Sequence, residues 1–241
     1  MSKEKCTAIV LSAGRGSRMG TKIQKQYLEV EGRPILYFSL KAFQDSPLID
    51  DIIVVTGEGQ QDFVQREIVE RYGLKKVTHI TTGGKERYHS VWNGLQLVAE
   101  GYVFIHDGAR PFIDESMIRR AYDCVCVHKA CVVSMPVKDT IKMVDEQGFV
   151  KSTPDRNHVW MMQTPQVFEC ALVKKAYADL MRNTISNVTD DAMVVELMTG
   201  HPIKLVEGSY ENIKITTPED LKIAKIFAKQ SAEGGIRTHA L

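Results

Sequence analysis

The sequence lacks several features that would assign it to a broad functional class at once. Its 241 residues contain 31 lysines and arginines against 30 acidic residues, so the formal net charge is only +1. That balance provides no global attraction to nucleic acid or to an anionic membrane. No apolar run approaches the ~18 residues of a spanning helix, and the N-terminus lacks the long apolar stretch of a signal peptide. We therefore expect a cytoplasmic protein with no nucleic-acid partner and no membrane partner.

A disulfide framework and a zinc site are also not indicated. The chain has five cysteines, an odd number, and a chain of this length does not need disulfides to fold. The three cysteines between 124 and 131 lack zinc-ligand spacing and lie among valine and alanine residues, which favours packed free thiols. We find no internal repeat and no low-complexity segment.

The sequence instead shows an alternation of short apolar runs and helical stretches. Apolar runs typical of buried strands occur at 6–12, 51–56, 102–106, 130–135, 203–206 and 213–216. Stretches with helical periodicity occur at 34–45, 60–72, 87–99, 114–128, 169–182, 190–199 and 218–229. This alternation predicts a Rossmann-like α/β fold with a mostly parallel sheet flanked by helices. The length fits a single domain, which we assign to residues 1–229.

Two segments interrupt the alternation. Within residues 136–168, the pieces TIKMV and FVKST flank Asp145–Gly148, a pattern typical of a hairpin turn. We predict a β-arm that projects from the domain. Such an arm is too thin to be stable alone, so we expect it to pack against a second copy in a homodimer. The polar residues 230–241 predict a disordered tail.

The loop after the first predicted strand is a candidate anion site, because ligands bind open parallel sheets beyond the carboxyl ends of the strands. Between residues 12 and 26, glycines alternate with arginines and lysines, and no acidic residue occurs until Glu29. Glycines let backbone N–H groups approach an anion, so this composition indicates a polyphosphate site. Met19 stands where the dinucleotide fingerprint and the P-loop each require glycine. The spacing therefore argues against a nicotinamide-dependent oxidoreductase, the alternative that the α/β pattern suggests.

Two further loops place polar groups beside predicted elements. Asp107 ends the strand predicted near 102–106 and is followed by Gly108, so its carboxylate could reach a ribose hydroxyl or a magnesium ion. We interpret His106 as a packed residue at the strand end. Gly84, Lys85 and Ser90 lie in a loop that leads into a helix, where backbone groups and a serine could read the edge of a base.

An ordered series of short motifs contains all three loops. The motifs are A-G-x-G-x-R-M-x5-K-Q (13–26), G-G-x-E-R-x2-S (83–90), H-D-G-A-R-P (106–111), P-V-x-D-T (136–140), D-R (155–156), T-P-Q (164–166), T-D-D (189–191) and V-E-G-x3-N-I-K-I-T (206–216). This series resembles the 2-C-methyl-D-erythritol 4-phosphate cytidylyltransferase family over residues 7 to about 228.

The resemblance implies transfer of a cytidylyl group from CTP to a polyol phosphate, with release of pyrophosphate, in the non-mevalonate isoprenoid route. It implies Mg²⁺ as the cofactor and a homodimer in which the arm at 136–168 completes the partner's site. A ribitol-5-phosphate cytidylyltransferase, which supplies teichoic-acid precursors, is the nearest alternative because the CTP half of the site is shared. The H-D-G-A-R-P and T-D-D motifs look nearer to the isoprenoid enzyme.

The resemblance also implies roles for individual residues. The catalytic cations would be Arg18, Lys25 and Lys214, with Lys214 on the strand predicted at 213–216. The nucleotide would be bound by Ala13, Gly14, Gly16, Gly84, Lys85, Ser90 and Asp107. The polyol phosphate would be bound by Asp107, Arg110, Arg156, Thr164, Thr189 and Lys214. Asp107 would also be the metal ligand. Lys85 stands where many family members have aspartate.

Overall fold

The computed structural model of the chain describes residues 3–14, 24–183 and 187–232. In chain order its strands are β1 (Cys6–Ser12), β2 (Glu29–Val30), β3 (Arg33–Pro34), β4 (Asp51–Thr56), β5 (Val77–Thr82), β6 (Tyr102–Asp107), β7 (Ala130–Pro136), β8 (Met143–Val144), β9 (Val150–Ser152), β10 (Trp160–Glu169) and β11 (Lys204–Glu207). Its α-helices are α1 (Ile35–Asp45), α2 (Gln61–Val64), α3 (Arg87–Leu95), α4 (Glu115–His128), α5 (Cys170–Arg182), α6 (Asp191–Thr199) and α7 (Pro218–Ala232). A π-helical segment, Gln65–Glu70, continues α2, and single 3-10 turns occur at Lys25–Tyr27 and Arg156–His158.

A seven-stranded sheet with the order β11-β7-β10-β6-β1-β4-β5 forms the centre of the domain. Its neighbouring strands run parallel, except that β10 runs antiparallel between β6 and β7. Val10 of β1 packs in the same apolar cluster as Leu40 of α1, whereas Ile9 packs in a second cluster with Leu95 of α3. Helices cover both faces, which is why β1 is a nearly continuous apolar run. The predicted α/β fold with a mostly parallel sheet is confirmed.

The strand order reverses at β1, and this reversal determines where a ligand can enter. From β1 the chain proceeds to β4 and β5 on one side, and then returns to place β6 on the other side. In open α/β sheets the crevice at such a switch point, outside the carboxyl ends of the strands, is the usual ligand site. The carboxyl ends of β1 and β6 are therefore the place to look for one.

The prediction of a strand at 213–216 is wrong. This segment lies in the loop between β11 and α7, outside every strand. Its apolar character has another cause, because Ile215 is fully buried in a small cluster with Val30 and Ala224, and its N–H donates to the carbonyl of Ala109. The isoleucine anchors a loop instead of a strand.

The predicted extent of the arm, 136–168, is also too long. Trp160–Glu169 forms β10 inside the central sheet. This strand contains Gln163, Thr164, Pro165 and Gln166, which do not read as an apolar run, and a register shift lies between Met162 and Gln166 on the side that faces β7. An irregularity of this kind is where a central sheet can accommodate a proline.

The hairpin predicted within the arm is confirmed. Strands β8 and β9 pair antiparallel, and Gly148 in the turn has a φ of +86°, which favours glycine. The Asp145 carboxylate accepts hydrogen bonds from the N–H groups of Gln147 and Phe149. The hairpin carries exposed apolar side chains, of which Phe149 is the most exposed at 73%.

Two further results concern the ends and surfaces of the fold. Helix α7 continues to Ala232, so residues 230–232 do not belong to the predicted tail, and residues 233–241 lie outside the described residues. Among the described helices, none combines the length and the apolar character needed to cross a membrane. All five cysteines are free thiols.

Candidate active site

A cavity of about 610 Å³ lies at the carboxyl ends of β1 and β6. Its volume is within the ~300–1,000 Å³ typical of small-molecule sites. Its walls are the loop after β1, the loop that leads into α3, the end of β6, and the loop after β11. The predicted site residues that line it are Ala13, Gly14, Lys25, Gly84, Lys85, Ser90, Asp107 and Lys214. The structure therefore brings together loops as distant in sequence as those of Ala13 and Lys214.

Four further predicted site residues that the structure describes do not line this cavity. Arg110 and Thr164 lie directly behind it and contact Asp107. Arg156 and Thr189 are exposed to solvent outside it. Gly16 and Arg18 belong to residues 15–23, which lie outside the described residues.

Asp107 is the electrostatic centre of the site. Its Oδ2 is 2.7 Å from the Lys214 Nζ and 3.9 Å from the Arg110 Nε, while its Oδ1 is 3.4 Å from the Arg87 Nε. Burial alone would raise the pKa of this carboxyl group, but the attraction of Arg87, Lys214 and Arg110 is stronger and holds the pKa well below its usual range. Asp107 is therefore a carboxylate at any physiological pH.

A buried hydrogen-bond network fixes the backbone on which Asp107 sits. The N–H of Asp107 donates to the Thr164 hydroxyl at 3.1 Å, and that hydroxyl is 3.0 Å from the Nδ1 of His106. The Nε2 of His106 lies 3.1 Å from the Arg110 carbonyl, which can only accept, so Nε2 carries the proton and Nδ1 accepts from Thr164. Burial lowers the pKa of His106 to about 4, which keeps the ring neutral. His106 is thus a packed residue at the strand end, as predicted.

Lys214 projects from the loop between β11 and α7, and not from a strand. Asn212, which is fully buried, holds this loop to β10 because its amide Nδ2 donates to the Thr164 carbonyl at 2.9 Å and to the Gln163 Oε1 at 3.2 Å. The Asn212 carbonyl also accepts from Arg110 at 2.7 Å. These contacts connect the Lys214 loop to the strand end that carries Asp107.

Lys25 connects the segment that follows β1 to the loop between β11 and α7, which contains Lys214. Its Nζ donates to the Ile215 carbonyl at 2.9 Å. The adjacent Gln26 is buried, and its amide donates to the carbonyls of Ser12 and Gly14, the latter at 3.0 Å. Two lysines that are 189 residues apart in sequence therefore face one cavity.

The loop that leads into α3 packs tightly against the first loop. A Cβ on Gly83 would lie 2.4 Å from the Cβ of Ala13 and 2.7 Å from the Oγ of Ser90, so only glycine fits. The N–H of Gly84 donates to the Ser90 Oγ at 3.1 Å. Ser90 therefore shapes the loop through its side chain.

Sequence reasoning missed two site residues, Arg87 and Asp191. Arg87 lines the cavity, and its two terminal nitrogens donate to the two carboxylate oxygens of Asp191 at 2.7 Å each. Both residues occur in the motifs of the resemblance, at 83–90 and 189–191, so the signal was present. Their separation of 104 residues along the chain hides the pairing.

The described residues do not fit a magnesium ion held by the protein alone. Among them, no group of three or more His, Cys, Asp or Glu side chains could hold a metal ion. Asp107, the ligand that the resemblance implies, already faces three cations. Mg²⁺ is commonly bound by one or two carboxylates together with substrate phosphates and water, so the protein would need those further ligands.

Comparison with known proteins shows which family the chain is similar to. The family described as 2-C-methyl-D-erythritol 4-phosphate cytidylyltransferase matches residues 6–230. A relative of that name from Lachnoclostridium phytofermentans is 48% identical over 228 residues, which cover 94% of this chain and 97% of the relative. One from Lachnospira eligens is 50% identical over 225 residues, covering 92% and 99% of the two chains.

Solved structures give the same result. The crystal structure of 4-diphosphocytidyl-2C-methyl-D-erythritol synthase from Anaerococcus prevotii superposes with a TM-score of 0.83 at 32% identity, covering 94% of this chain and 97% of that one. That of 2-C-methyl-D-erythritol 4-phosphate cytidylyltransferase from Thermus thermophilus gives 0.75 at 30% identity, covering 92% and 98%. With the family match over nearly its whole length, this chain belongs to the 2-C-methyl-D-erythritol 4-phosphate cytidylyltransferase family.

Proposed function

We propose that the protein transfers the cytidylyl group of CTP to 2-C-methyl-D-erythritol 4-phosphate, giving 4-diphosphocytidyl-2-C-methyl-D-erythritol and pyrophosphate. The family match supports this reaction. The structural observation on which this proposal depends is that Lys25 and Lys214 both line one cavity, together with the loop after β1. The relatives reported above have the methylerythritol name, which favours this substrate over ribitol 5-phosphate and disfavours nicotinamide chemistry.

The reaction joins two anions, so electrostatic repulsion is a large part of its barrier. An oxygen of the polyol 4-phosphate attacks the α-phosphorus of CTP, a new P–O bond forms, and the bond to the pyrophosphate oxygen breaks. The attacking phosphate is ionised at neutral pH, so no protein base is required. Lys25 and Lys214 neutralise the charge that develops on the phosphoryl oxygens, which is how positioned cations accelerate phosphoryl transfer. Arg18 joins them in this proposal.

In this proposal the nucleotide and the polyol phosphate lie against different walls of the cavity. Ala13, Gly14, Gly84, Lys85 and Ser90 surround the nucleotide, and Asp107 faces the ribose. The polyol phosphate lies toward Lys214, with Arg110 and Thr164 behind it supporting that wall.

We place Mg²⁺ in this proposal only as an ion that arrives with CTP. Mg²⁺ usually retains several waters and binds through substrate phosphates, and it would supply charge neutralisation between phosphate oxygens. Asp107 could add one oxygen only in competition with its three cations. No step above depends on the ion.

We also propose a homodimer formed through the arm, in which Arg156 and its flanking residues complete the cavity of a second copy. Arg156 is exposed at the base of the arm and does not line the cavity of its own chain. The hairpin above it exposes four apolar side chains, Met143, Val144, Phe149 and Val150. An isolated two-stranded hairpin is marginal in water, so a partner surface would stabilise it.

The direct test is a pyrophosphate-release assay with CTP and either polyol phosphate. We expect turnover with 2-C-methyl-D-erythritol 4-phosphate and much slower turnover with ribitol 5-phosphate. Faster turnover with ribitol 5-phosphate would contradict the substrate assignment. A thermal shift with NADH and none with CTP would contradict the proposed reaction class.

A further inference from the structure

Arg87 lies between two carboxylates that belong to different parts of the fold. Its Nη1 and Nη2 donate to Asp191 at 2.7 Å each, and its Nε is 3.4 Å from the Oδ1 of Asp107. Arg87 is the first residue of α3, Asp191 is the first residue of α6, and Asp107 ends β6. One guanidinium therefore connects the start of two helices to the end of a central strand.

Asp191 is buried without any contact to solvent. Besides both terminal nitrogens of Arg87, it accepts a hydrogen bond from the hydroxyl of Tyr177, which is also fully buried. The start of α6 is fixed separately, because the Asp190 side chain caps the helix and the Gln166 amide accepts from the Ala192 N–H at 2.8 Å. A buried ion pair is a weak source of stability, but the bidentate contact of Arg87 with Asp191 adds geometric specificity and so holds the guanidinium in one orientation.

The orientation of Arg87 determines what Asp107 can bind. Because Asp191 occupies both terminal nitrogens, only the Nε edge of the guanidinium faces Asp107. The Oδ2 of Asp107 is left for Lys214, whose Nζ lies 2.7 Å away. Without Asp191, the fork of Arg87 could take both oxygens of Asp107 in a bidentate pair, which is the strongest geometry for these two groups.

We propose that Asp191 is a positioning residue which, through Arg87, keeps one oxygen of Asp107 available to Lys214 and thereby holds Lys214 toward the polyol phosphate. Asp191 touches neither substrate in this arrangement. The inference rests on the proposed function for its kinetic consequence, whereas the arrangement of the four side chains stands independently of it.

The kinetic test uses Asp191→Asn, which keeps the side-chain shape but removes its charge and one acceptor. We expect kcat/KM for 2-C-methyl-D-erythritol 4-phosphate to fall on the order of a hundredfold, the cost of a small misplacement of a catalytic group. The KM for CTP should change by a smaller factor, because the loop after β1 and Ser90, which surround the nucleotide in the proposed function, do not contact Asp191. Arg87→Lys, which cannot bridge both carboxylates, should give the same pattern if the asparagine variant does not fold.

A double-mutant cycle separates positioning from stability. In an Asp107→Asn background, Asp191→Asn should lower kcat/KM far less than in the wild type, since its route of action is already lost. The matched control is Val194→Ala, which destabilises the same helix at a fully buried apolar position away from the ion pair. It should lower the thermal midpoint and leave kcat/KM near the wild-type value.

A second readout needs no turnover. The rate at which an amine-acylating reagent labels Lys214, measured by mass spectrometry, should rise several-fold in Asp191→Asn because the ammonium loses its carboxylate. An unchanged labelling rate overturns the inference whatever the enzyme's substrate is. Equal losses of kcat/KM in both backgrounds, or the same loss in Val194→Ala, also overturn it. Absence of turnover by the wild-type protein, with Lys214 labelling still raised by the variant, refutes the proposed function and leaves the positioning role supported.

Discussion

At the scale of single residues, the cavity has a local positive charge that the composition of the whole chain does not predict. The chain as a whole has a net charge of only +1. Among the residues that the structure describes, however, the charged side chains that line the cavity are Lys25, Lys85, Glu86, Arg87, Asp107 and Lys214. Four cations against two carboxylates make the cavity positive, and such a concentration of charge in a cleft attracts and holds an anionic substrate.

Lys25 gives the most direct test of this charge. We expect Lys25→Ala to lower kcat by on the order of a hundredfold or more, comparable to removing one strong donor to a developing charge. The measurement is steady-state pyrophosphate release with saturating CTP. Lys225→Ala, an exposed lysine of α7, is the control and should retain full activity. A Lys25→Ala enzyme with wild-type kcat and a native thermal midpoint would remove Lys25 from the mechanism.

His106 makes the stability of the fold depend on pH. Burial lowers its pKa from the ordinary value of 6.5 to about 4. Between these values the unfolded chain binds a proton that the folded chain does not, so stability falls as the pH is lowered through this window. The full effect is about 3 kcal/mol. Urea unfolding at pH 7 and pH 5 should show a loss that is clearly smaller in His106→Asn.

Above pH 7 the wild type and His106→Asn should depend on pH in the same way, because His106 is neutral in both the folded and the unfolded states there. Parallel stability curves for the two proteins between pH 5 and 7 would show that this histidine does not titrate as its buried environment requires.

At the scale of elements, the loop between β11 and α7 is the part of the site most dependent on tertiary contacts. It has no strand or helix of its own, and Asn212 attaches it to β10 through two side-chain hydrogen bonds. The loop in turn presents Lys214 to Asp107 and the Ile215 carbonyl to Lys25. Its position is therefore set by one buried amide and one buried isoleucine.

We expect Asn212→Ala to destabilise the protein by about 1–3 kcal/mol, because it leaves buried acceptors on Gln163 and Thr164 unsatisfied. Its activity should fall more than that of a variant with equal stability loss elsewhere. Urea unfolding and kcat/KM measure the two effects. Asn183→Ala is the matched control, since its amide donates to the Asp179 carbonyl on an exposed surface and should matter little. Equal effects of the two substitutions would contradict the anchoring role.

The elements that could be predicted from sequence are those whose burial alone dictates their composition. The strand at 6–12 is covered on both faces, so its residues form a continuous apolar run. The edge strand β5 escaped prediction because it includes Thr78, His79 and Thr81, and β10 escaped because of Gln163 and Pro165. Conversely, the apolar run at 213–216 predicted a strand that is not formed, because Ile215 is buried in a small cluster that holds a loop in place.

The part of the site that lies at the carboxyl ends of strands could be predicted from the sequence. Asp107 and the loop after β1 were identified because the carboxyl ends of parallel strands lie at the same edge of the sheet, where ligands bind. The roles of Lys25 and Lys214 as catalytic cations came only from the resemblance to a family. The pairing of Arg87 with Asp191 could not be read from either source, because it depends on how α3 and α6 pack across the domain.

At the scale of the whole molecule, the arm is the feature that one chain does not explain. Its hairpin buries none of its large apolar side chains, and Phe149 is 73% exposed. Exposed apolar surface on an element this thin is typical of an interaction site. A homodimer through the arm would cover these side chains and would bring Arg156 to a second cavity.

Mixing two inactive variants tests both parts of that proposal together. Lys25→Ala should be inactive through the catalytic cation, and Arg156→Ala should be weak through polyol-phosphate binding. In a mixed dimer, the Arg156→Ala subunit keeps its own Lys25 and receives Arg156 from its partner, so one of its two sites is intact. Random exchange of subunits in a closed two-fold dimer should restore about a quarter of wild-type activity.

The arm itself supplies the control for this mixing experiment. Phe149→Asp places a charge on the most exposed apolar residue of the hairpin. If added to both parent variants, it should prevent dimer formation in size-exclusion chromatography and abolish the restored activity. Activity that returns on mixing while both chains remain monomeric would point to a shared site without the arm. No recovery from a mixture proven to contain mixed dimers would mean that Arg156 does not act on the cavity of its partner, and the polyol phosphate would then have to be held by one chain alone.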